Sequence, residues 1–378
     1  MGMPLDGIVV ADFSRVLAGP LACVNLADLG ATVIKVERPG SGDDTRGWGP
    51  PWTAQSSSYF ECANRSKQSV VLDLGDPADQ VLARELARRA DVLVENFRTG
   101  ALQRRGLDYE SVRADNPGIV YCSVSGFGGD ADLPGYDFLV QAMGGLMSIT
   151  GAADGEPAKA GVALVDVLAA KDATIGILAA LRARETTGRG QRVEVNLLSS
   201  LLGSMANQAS AYLTTGVAPR RMGNAHPSIA PYETLRCKDD VLALACGNDG
   251  QFGKLAEVLG VPELAADARF ATNAERVRNR PELRAALEDR LGADTVAAWA
   301  QKLTEAGVPA GPVGDLADGF RLAESLGLAP TVPVGDDAPP QVRHPIGYSE
   351  TPVARYTAPP RLGQHSDEIR RWLAEEKK

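Results

Sequence analysis

A single carboxylate stands out in an otherwise apolar stretch of the chain. The segment GVALVDVLAAKDATIGILAAL, residues 161–181, consists mostly of small apolar residues, and Asp166 lies near its start. Burying a carboxylate without a partner is costly. Asp166 therefore either caps a helix by accepting free N–H groups of the first turn, or performs chemistry. The two interpretations are compatible, because amides at a helix start would also keep a nucleophilic carboxylate ionised.

Further candidates follow the ends of predicted strands. Val16 comes after GIVVADF, Arg38 after TVIKVE, Asn96 and Phe97 after DVLVE, and Gly128 after IVYCSVS. The carboxyl ends of parallel strands form the ligand-binding edge of an α/β sheet. These positions therefore predict a binding site at one edge of a sheet, with an arginine suited to an anionic ligand.

The elements that would position these residues alternate between strand and helix patterns. GIVVADF and TVIKVE are predicted strands that flank a helix ending near Gly30. SVVLDL, a helix over 77–89, DVLVENF, a helix over 109–115 and IVYCSVSGFG continue the alternation. This order predicts an α/β fold with a Rossmann-like parallel sheet and helices on both faces.

The second half of the chain shows a different pattern. A helix from Asp166 to about residue 185 precedes the strand RVEV, and an uncharged stretch with helical spacing follows Val195. A helix so poor in charge must be covered on most sides, by its own chain or by a partner subunit. The strands YETLRC and VLALACG and the helices over 251–259, 281–291 and 294–306 predict a smaller α+β domain.

These patterns divide the chain into four parts. A large domain covers residues 1–195, a connecting helix and linker 196–224, and a small domain 225–320. A proline-rich return segment, residues 321–378, is expected to pack on the large domain as extended chain and to end in a helix capped by Ser366.

The composition excludes several classes of function. A formal net charge of −9 over 378 residues disfavours a nucleic-acid surface. No G-x-G-x-x-G or G-x-x-x-x-G-K-[ST] loop is present, so dinucleotide and P-loop sites lose their main support. Five cysteines and three histidines show no metal-ligand spacing, and free buried thiols are expected. The N-terminus has no signal-peptide pattern, which predicts a cytoplasmic protein without a membrane partner.

Long motifs in a fixed order then resemble one family. The chain opens with FSRVLAGPLACVNLADLGATVIKVERPGSGDDTR and continues with DVLVENFRTGALQRRGLDY. SGFGGDADLPGYDFLVQAMGGLMSITGAADGEP leads into DVLAAKDATIGILAALRARETTGRGQRVEV, and NAERVRNRPEL, AGVPAGPV and LGQHSDEI extend the likeness over nearly the whole chain. The sequence resembles the class III CoA-transferases of the CaiB/BaiF type. These include formyl-CoA and carnitine CoA-transferases and the related α-methylacyl-CoA racemases.

The resemblance implies an architecture and a reaction. Two chains would be threaded through each other like links, forming a homodimer that covers the uncharged helix after Val195. Asp166 matches the family's nucleophile. It would attack an acyl-CoA thioester to give a mixed anhydride, and returning CoA thiolate would give an aspartyl-CoA thioester that an acceptor carboxylate attacks. CoA is then a substrate carried between carboxylic acids, without a metal.

The resemblance also assigns binding residues. The CoA pocket matches Val16, Leu17, Arg38, Asn96, Phe97 and Arg104 in this chain. Donors for the oxyanion formed at each addition, or walls of the acyl pocket, are expected at Gly128-Gly129, Gly144-Gly145, Gly223-Asn224, Tyr136, Asp137 and His226. Each glycine pair is also explained by a simple turn, each arginine by a solvated surface charge, and His226 by a structural role.

Tyr136 separates the two reactions of the family. The racemases carry His at this place, and a Tyr with a pKa near 10 is a poor base at neutral pH. GYDF therefore favours a transferase. The formyl-CoA enzymes have Gln and Lys where this chain has Leu17 and Pro134, which puts formate and oxalate in doubt as substrates.

Three hypotheses remain. The first is a CoA-transferase that takes CoA from a donor such as succinyl-CoA and passes it to a carboxylic acid. The second is an acyl-CoA racemase or isomerase of the same fold. The third, from another class, is a CoA-binding protein without catalytic activity.

Overall fold

The structure is a computed structural model that describes residues 2–128, 131, 133–336 and 338–375. The chain divides into two compact units. The first comprises the residues up to 146, residues 160–216 and the residues from 329 onward, and the second comprises 147–159 and 217–328. The sequence-based division at 195, 224 and 320 stays a prediction.

A six-stranded parallel sheet organises the first unit. Its strands are β1 (Val9–Asp12), β2 (Thr32–Glu37), β3 (Lys67–Val71), β4 (Val92–Glu95), β5 (Val120–Ser125) and β6 (Arg192–Asn196). They lie in the order β3-β2-β1-β4-β5-β6, and all neighbours are parallel. The order reverses between β1 and β4, which opens a crevice at the carboxyl ends of those strands. The predicted α/β class with a parallel sheet is confirmed.

The helices occupy the connections that the sequence pattern predicts and several others. They are α1 (Ala18–Asp28), α2 (Ser58–Cys62), α3 (Pro77–Arg89), α4 (Tyr109–Asp115), α5 (Asp137–Met143), α6 (Leu146–Ile149), α7 (Leu164–Thr187), α8 (Leu197–Ser204), α9 (Ala206–Thr215), α10 (Asp249–Val258), α11 (Glu263–Ala266), α12 (Asn273–Arg278), α13 (Arg280–Leu291), α14 (Val296–Glu305), α15 (Leu316–Ser325) and α16 (Ser366–Ala374). Two 3-10 helices lie at Asp44–Gly47 and Gln103–Arg105.

Separate apolar cores cover the two faces of the sheet. Successive residues of a strand point to opposite faces, so Val10 joins one core and Ala11 the other, both fully buried. The first core receives α1, α7 and α8, and Ile177 of α7 is fully buried there. The second receives α3, α4 and α16, with Leu86 and Leu373 packed against the sheet.

The second unit has its own core. Strands β7 (Tyr232–Arg236), β8 (Val241–Ala245) and β9 (Ala310–Pro312) form an antiparallel sheet in the order β7-β8-β9. Helices α10, α13 and α14 bury Phe252, Leu287 and Leu303 against it. This unit therefore has the α+β character that the sequence pattern predicts for residues 225–320.

The C-terminal segment of the first unit covers the outer edge of β3. Ser66 donates its N–H to the carbonyl of Thr357 at 3.0 Å, and Ser69 donates to Nδ1 of His365 at 3.1 Å. Val71 donates to the hydroxyl of Ser366 at 3.0 Å. An exposed edge strand invites pairing with another chain, and these bonds occupy it. Two short strands, β10 (Thr331–Val332) and β11 (Gln341–Val342), pair antiparallel earlier in this segment.

Three local expectations are wrong. Ser366 does not cap the last helix, because the helix begins at that residue after His365 and the hydroxyl bonds to β3 instead. The uncharged stretch after Val195 is two helices, with a break at Met205. The five thiols are free as expected, but Cys62 is exposed rather than buried. Among the helices of the described residues, none combines the length and apolar character needed to cross a bilayer.

Candidate active site

The loop after β1 lies at the point where the strand order reverses. Val16 there has a φ of 72°, which is strained for a β-branched residue. Its N–H lies 3.3 Å from both carboxylate oxygens of Asp43. Asn96, at the end of β4, accepts the N–H of Arg15 at 2.9 Å and donates to its carbonyl at 2.7 Å. Groups that follow β2 and β4, the strands on either side of β1, therefore hold this loop in one conformation.

A cavity of about 190 Å³ opens beside this loop, at the ends of β1 to β4. Arg15, Arg38, Phe97 and Arg105 line it. The guanidinium of Arg15 lies 5.2 Å from the centre of the Phe97 ring. Lys35, Glu37, Asp43 and Asp73 line it as well, so the lining carries four cationic and three anionic side chains beside the Phe97 ring. The arginines and the ring can contact an anionic ligand with a planar group.

Some of the predicted CoA contacts line this cavity and others do not. Arg38 and Phe97 are brought together at the cavity, where Arg38 donates to the Ser41 hydroxyl at 2.7 Å and pairs with Asp44. Leu17 is buried at the start of α1. Arg104 is exposed on a 3-10 helix and does not line the cavity, whereas its neighbour Arg105 does. Arg15 follows the predicted strand GIVVADF and was among the residues singled out at strand ends, without an assigned role, whereas Arg105 was not predicted from the sequence.

Asp166 lies in the first turn of α7, which starts at Leu164 and has Ala163 as its N-cap residue. The interpretation of Asp166 as an N-cap is therefore wrong, since it is the third residue of the helix. The side chain is half-buried. Within the described part of the chain, its carboxylate takes part in no salt bridge and accepts no hydrogen bond.

Asp137 caps the helix instead, from the start of α5. Its Oδ1 accepts the N–H of Val165 at 2.8 Å and lies 3.3 Å from the N of Asp166. Close contact between two glycines helps to place it. A Cβ added to Gly126, just after β5, would lie 2.3 Å from the Cα of Gly135. The chain before α5 therefore crosses the end of β5 at a distance that only glycine allows.

The electrostatics of this pair differ from the expectation. Burial, and then the negative charge of Asp137, raise the pKa of Asp166 to about 7. The helix amides were expected to keep Asp166 ionised, but Asp137 occupies those of Val165 and Asp166. Among the described residues, no donor compensates the charge of Asp166, and its carboxylate is therefore more basic than an ordinary aspartate.

An aromatic pair also belongs to this neighbourhood. Burial and the charge of Asp166 raise the pKa of Tyr59 to about 12. Tyr59 meets Trp48 edge to face, with ring centres 5.3 Å apart. Neither Tyr59 nor Trp48 was predicted from the sequence to lie near Asp166. Tyr136, the residue that favours a transferase over a racemase, lies immediately before α5 and is 63% exposed.

The glycine candidates of the first unit are of two kinds. Gly128 and Gly145 have positive φ values of 99° and 90°, and a Cβ added to either would meet nothing within 4 Å. Gly144 ends α5, and a Cβ there would lie 2.6 Å from the Leu201 side chain, so packing against α8 explains this glycine. Gly129 lies outside the described residues.

Gly223, Asn224 and His226 belong to the second unit. Gly223 donates its N–H to the carbonyl of Gly151 at 3.1 Å, and the Asn224 amide donates to the Thr234 hydroxyl at 3.0 Å. His226 accepts the N–H of Ser228 through Nδ1 at 3.1 Å. Their assignment to an oxyanion or acyl site stays a prediction.

The chain matches the family model described as CoA-transferase family III over residues 5–366. A succinate–glutarate CoA-transferase from Agrobacterium fabrum is 44% identical, over 97% of this chain and 94% of the relative. An acetyl-CoA:oxalate CoA-transferase from Acetobacter aceti is 42% identical, over 85% of this chain and 84% of the relative. The crystal structure of a CaiB/BaiF family protein from Brucella suis has a TM-score of 0.89 and 44% identity, over 99% of this chain and 100% of that one.

Proposed function

Because the chain belongs to CoA-transferase family III, we propose that it transfers CoA from succinyl-CoA to the carboxylate of a second dicarboxylic acid, such as glutarate. The observation that carries this proposal is Asp166, a half-buried carboxylate that pairs with no cation among the residues that the structure describes, and whose pKa is raised to about 7 by burial and by Asp137. The choice of succinate and glutarate is supported by the name of the relative from Agrobacterium fabrum, which contains both acids, whereas the name of the relative from Acetobacter aceti contains acetyl-CoA and oxalate.

Asp166 is the nucleophile in this proposal. A carboxylate oxygen attacks the thioester carbonyl, the C–S bond breaks, and CoA leaves as the thiolate while a mixed anhydride remains on the enzyme. The thiolate then attacks the aspartyl carbonyl and releases the first acid. A second acid attacks the resulting aspartyl-CoA thioester, and the same steps run in reverse. The energy of the thioester is kept, so no other energy source is required.

The charged cavity beside the β1 loop is proposed to bind the nucleotide part of CoA. Arg15, Arg38 and Arg105 supply positive charge for phosphates, and Phe97 supplies an aromatic face. Arg15 and Arg38 both pair with Asp44 in the structure, so a phosphate would replace Asp44 as their partner. Asn96 contributes by holding the loop, because both ends of its amide bond to the backbone of Arg15.

A homodimer forms part of the proposal. No residue of α9 is buried, and Tyr212 and Leu213 are 50% and 81% exposed on this uncharged helix. Such apolar surface is typical of an interface, and a second copy would cover it in the threaded arrangement that the resemblance implies. The mass in solution from light scattering, about twice the chain mass of 39.8 kDa, would support it. The cytoplasmic location stays a prediction.

The transfer is tested with succinyl-CoA and isotope-labelled acids, namely glutarate, oxalate, formate and acetate. We expect labelled glutaryl-CoA, and an aspartyl-modified peptide containing Asp166 when the reaction is quenched and digested for mass spectrometry. Asp166→Ala should lower transfer roughly 10⁴-fold or more. Asp172→Ala, an exposed site on the same helix, serves as a matched control that keeps its activity.

The other outcomes separate the alternatives. Solvent deuterium at the α-carbon of a branched acyl-CoA, without transfer, would identify a racemase. The presence of Tyr rather than His at position 136 argues against that result. Binding of CoA without turnover would identify a catalytically silent protein. Transfer that persists in Asp166→Ala would refute the assignment of the nucleophile.

A further inference from the structure

Helix α5 presents an acid and an amide to the start of α7. Asp137 and Gln141 are four residues apart and therefore lie on one side of the helix. Gln141 is fully buried. Its Nε2 donates to Oδ2 of Asp137 at 2.6 Å, and its Oε1 accepts the N–H of Ala160 at 2.8 Å. One buried amide thus connects the capping carboxylate to the chain that leads into α7.

This arrangement leaves two carboxylates side by side. Asp137 Oδ1 accepts from Val165 and lies within 3.3 Å of the N of Asp166, so the donors of the helix start serve Asp137. Within the described part of the chain, neither Asp137 nor Asp166 pairs with a lysine, arginine or histidine. Buried carboxylates are normally paired or neutralised. The absence of a cation at two adjacent acids therefore requires an explanation beyond capping.

Given the proposed function, we propose that Asp137, held in place by Gln141, is a positioning residue whose negative charge favours acylation of Asp166. Before attack, the two ionised carboxylates repel each other in a partly dehydrated site. When an oxygen of Asp166 bonds to the acyl carbon, the C–S bond breaks and the electron pair leaves with CoA as the thiolate. Asp166 is then a neutral anhydride, and later a neutral thioester. The repulsion at the helix start is relieved in both covalent states.

The groups around Asp166 are consistent with this role. Asp137 of α5 and burial raise the pKa of Asp166 to about 7, and Tyr59 of α2 has a pKa raised to about 12, so Tyr59 is neutral at physiological pH. Helix α8 contains no titratable side chain. Helix α1 contributes only Cys23, a buried thiol, and Asp28, which is paired with Arg65. Strand β5, which packs against α7, contributes the thiol of Cys122 on that face, and burial raises its pKa to about 12. The neighbouring strand β6 carries Arg192 and Glu194, which pair with each other.

A double variant separates charge from capping. In Asp137→Asn/Gln141→Glu, the amide oxygen at position 137 still accepts from Val165. Its nitrogen donates to the carboxylate at position 141, which still accepts from Ala160. The hydrogen bonds of the cap are kept and the net charge is unchanged, but the negative charge moves away from Asp166. A residue that only caps would tolerate this exchange.

Two readouts measure the effect. The lower limb of the pH profile of kcat/KM for CoA transfer, near pH 7 in the natural enzyme, should move down by about one pH unit in the double variant. At pH 8.5, where Asp166 is ionised in both proteins, the fraction acylated after quenching should fall about tenfold, because one pKa unit corresponds to a tenfold change in that equilibrium. An unchanged limb and an unchanged acylated fraction would overturn the proposal.

Further variants keep the test decisive. Gln141→Glu alone adds a second charge beside Asp137 and should move the limb upward, so it tests the same idea in the opposite direction if the double variant does not fold. Gln141→Leu keeps the charge of Asp137 but removes the hydrogen bond that holds it, and should move the limb downward by less than the double variant does. If the natural enzyme shows no acylated Asp166, the proposed function fails. If the natural enzyme shows acylated Asp166 and the double variant has the same pH limb and the same acylated fraction, only this inference fails.

Discussion

Two regions of the first unit hold buried or half-buried carboxylates, and they differ in whether a cation lies beside them. Asp12, the last residue of β1, pairs with Lys67, the first residue of β3, at 2.8 Å, and Lys35 within β2 pairs with Asp43 in the following loop at 2.9 Å; all four side chains are almost wholly inaccessible to water. We refer to these four residues as the paired cluster. At the start of α7, Asp166 and its neighbour Asp137 have no cation among the described residues. The paired cluster supports the loop that carries Val16, whereas Asp166 is free to react.

The two regions differ most clearly in their protonation. Burial alone would raise the pKa of Asp12, but Lys67 and Lys35 outweigh it and the pKa is lowered. Burial also raises the pKa of Asp166, and Asp137 adds to the rise. Dehydration is common to both, so the sign of the neighbouring charge decides the outcome. A buried acid with a cation stabilises the structure, and one without a cation is available for chemistry.

The largest expected effect comes from breaking the paired cluster. Asp12→Asn leaves the ammonium of Lys67 buried without its counter-charge, and we expect the free energy of unfolding to fall by about 3–5 kcal/mol. Urea denaturation at pH 7.5 measures this as a lower midpoint. Glu185→Gln, which removes an exposed pair with Arg182, is the matched control and should change stability by less than about 0.5 kcal/mol. Equal effects of both variants would contradict the distinction.

Asp166→Asn should act in the opposite direction. The pKa of Asp166 is higher in the folded chain than in the unfolded chain, so its ionisation destabilises the fold as pH rises from about 4 to about 7. Each pKa unit corresponds to about 1.4 kcal/mol, and partial exposure reduces this. We expect the variant to be about 2 kcal/mol more stable at pH 8 and equal to the natural protein near pH 4. Loss of stability at pH 8 would mean that Asp166 has a stabilising partner.

The smallest expected effect is that transfer activity and folding stability are lost in different pH ranges. Transfer should fall about tenfold for each pH unit below 7, because protonation of Asp166 removes the nucleophile. The paired cluster should not respond in this range. The pKa values of Asp12 and Asp43 are lowered, so their contribution to stability is lost only as pH falls below about 4. Parallel measurement of kcat/KM and circular dichroism between pH 5 and 8 checks this, and joint loss of both signals would contradict it.

Local patterns predicted most of the fold. The strands of the first half and the helices at 77–89 and 109–115 appear where the apolar spacing places them, because each buries its own apolar residues against one sheet. Lys35 within TVIKVE could have indicated a buried ion pair from the sequence alone. A lysine in the middle of a fully buried strand requires a counter-charge, and Lys35 finds it in Asp43.

The candidate site was predicted less completely, because its contacts span long distances in the chain. Asp166 was recognised from the family resemblance, but its cap comes from Asp137, 29 residues earlier. No local pattern links Tyr59 to Asp166, since their proximity depends on the packing of the folded unit. Arg105 rather than Arg104 lines the cavity. On the 3-10 helix after β4, neighbouring residues point in different directions, and spacing alone does not choose between them.

The bonds that cover β3 impose an order on biosynthesis. The edge of that strand, at residues 66–71, is closed by residues 357–366, which are synthesised nearly three hundred residues later. The intervening residues 217–328 form most of the other unit and are synthesised completely in the meantime. A nascent chain must therefore carry an open β-edge while nearly three hundred residues are added, and a chaperone that shields extended strands would act in that interval.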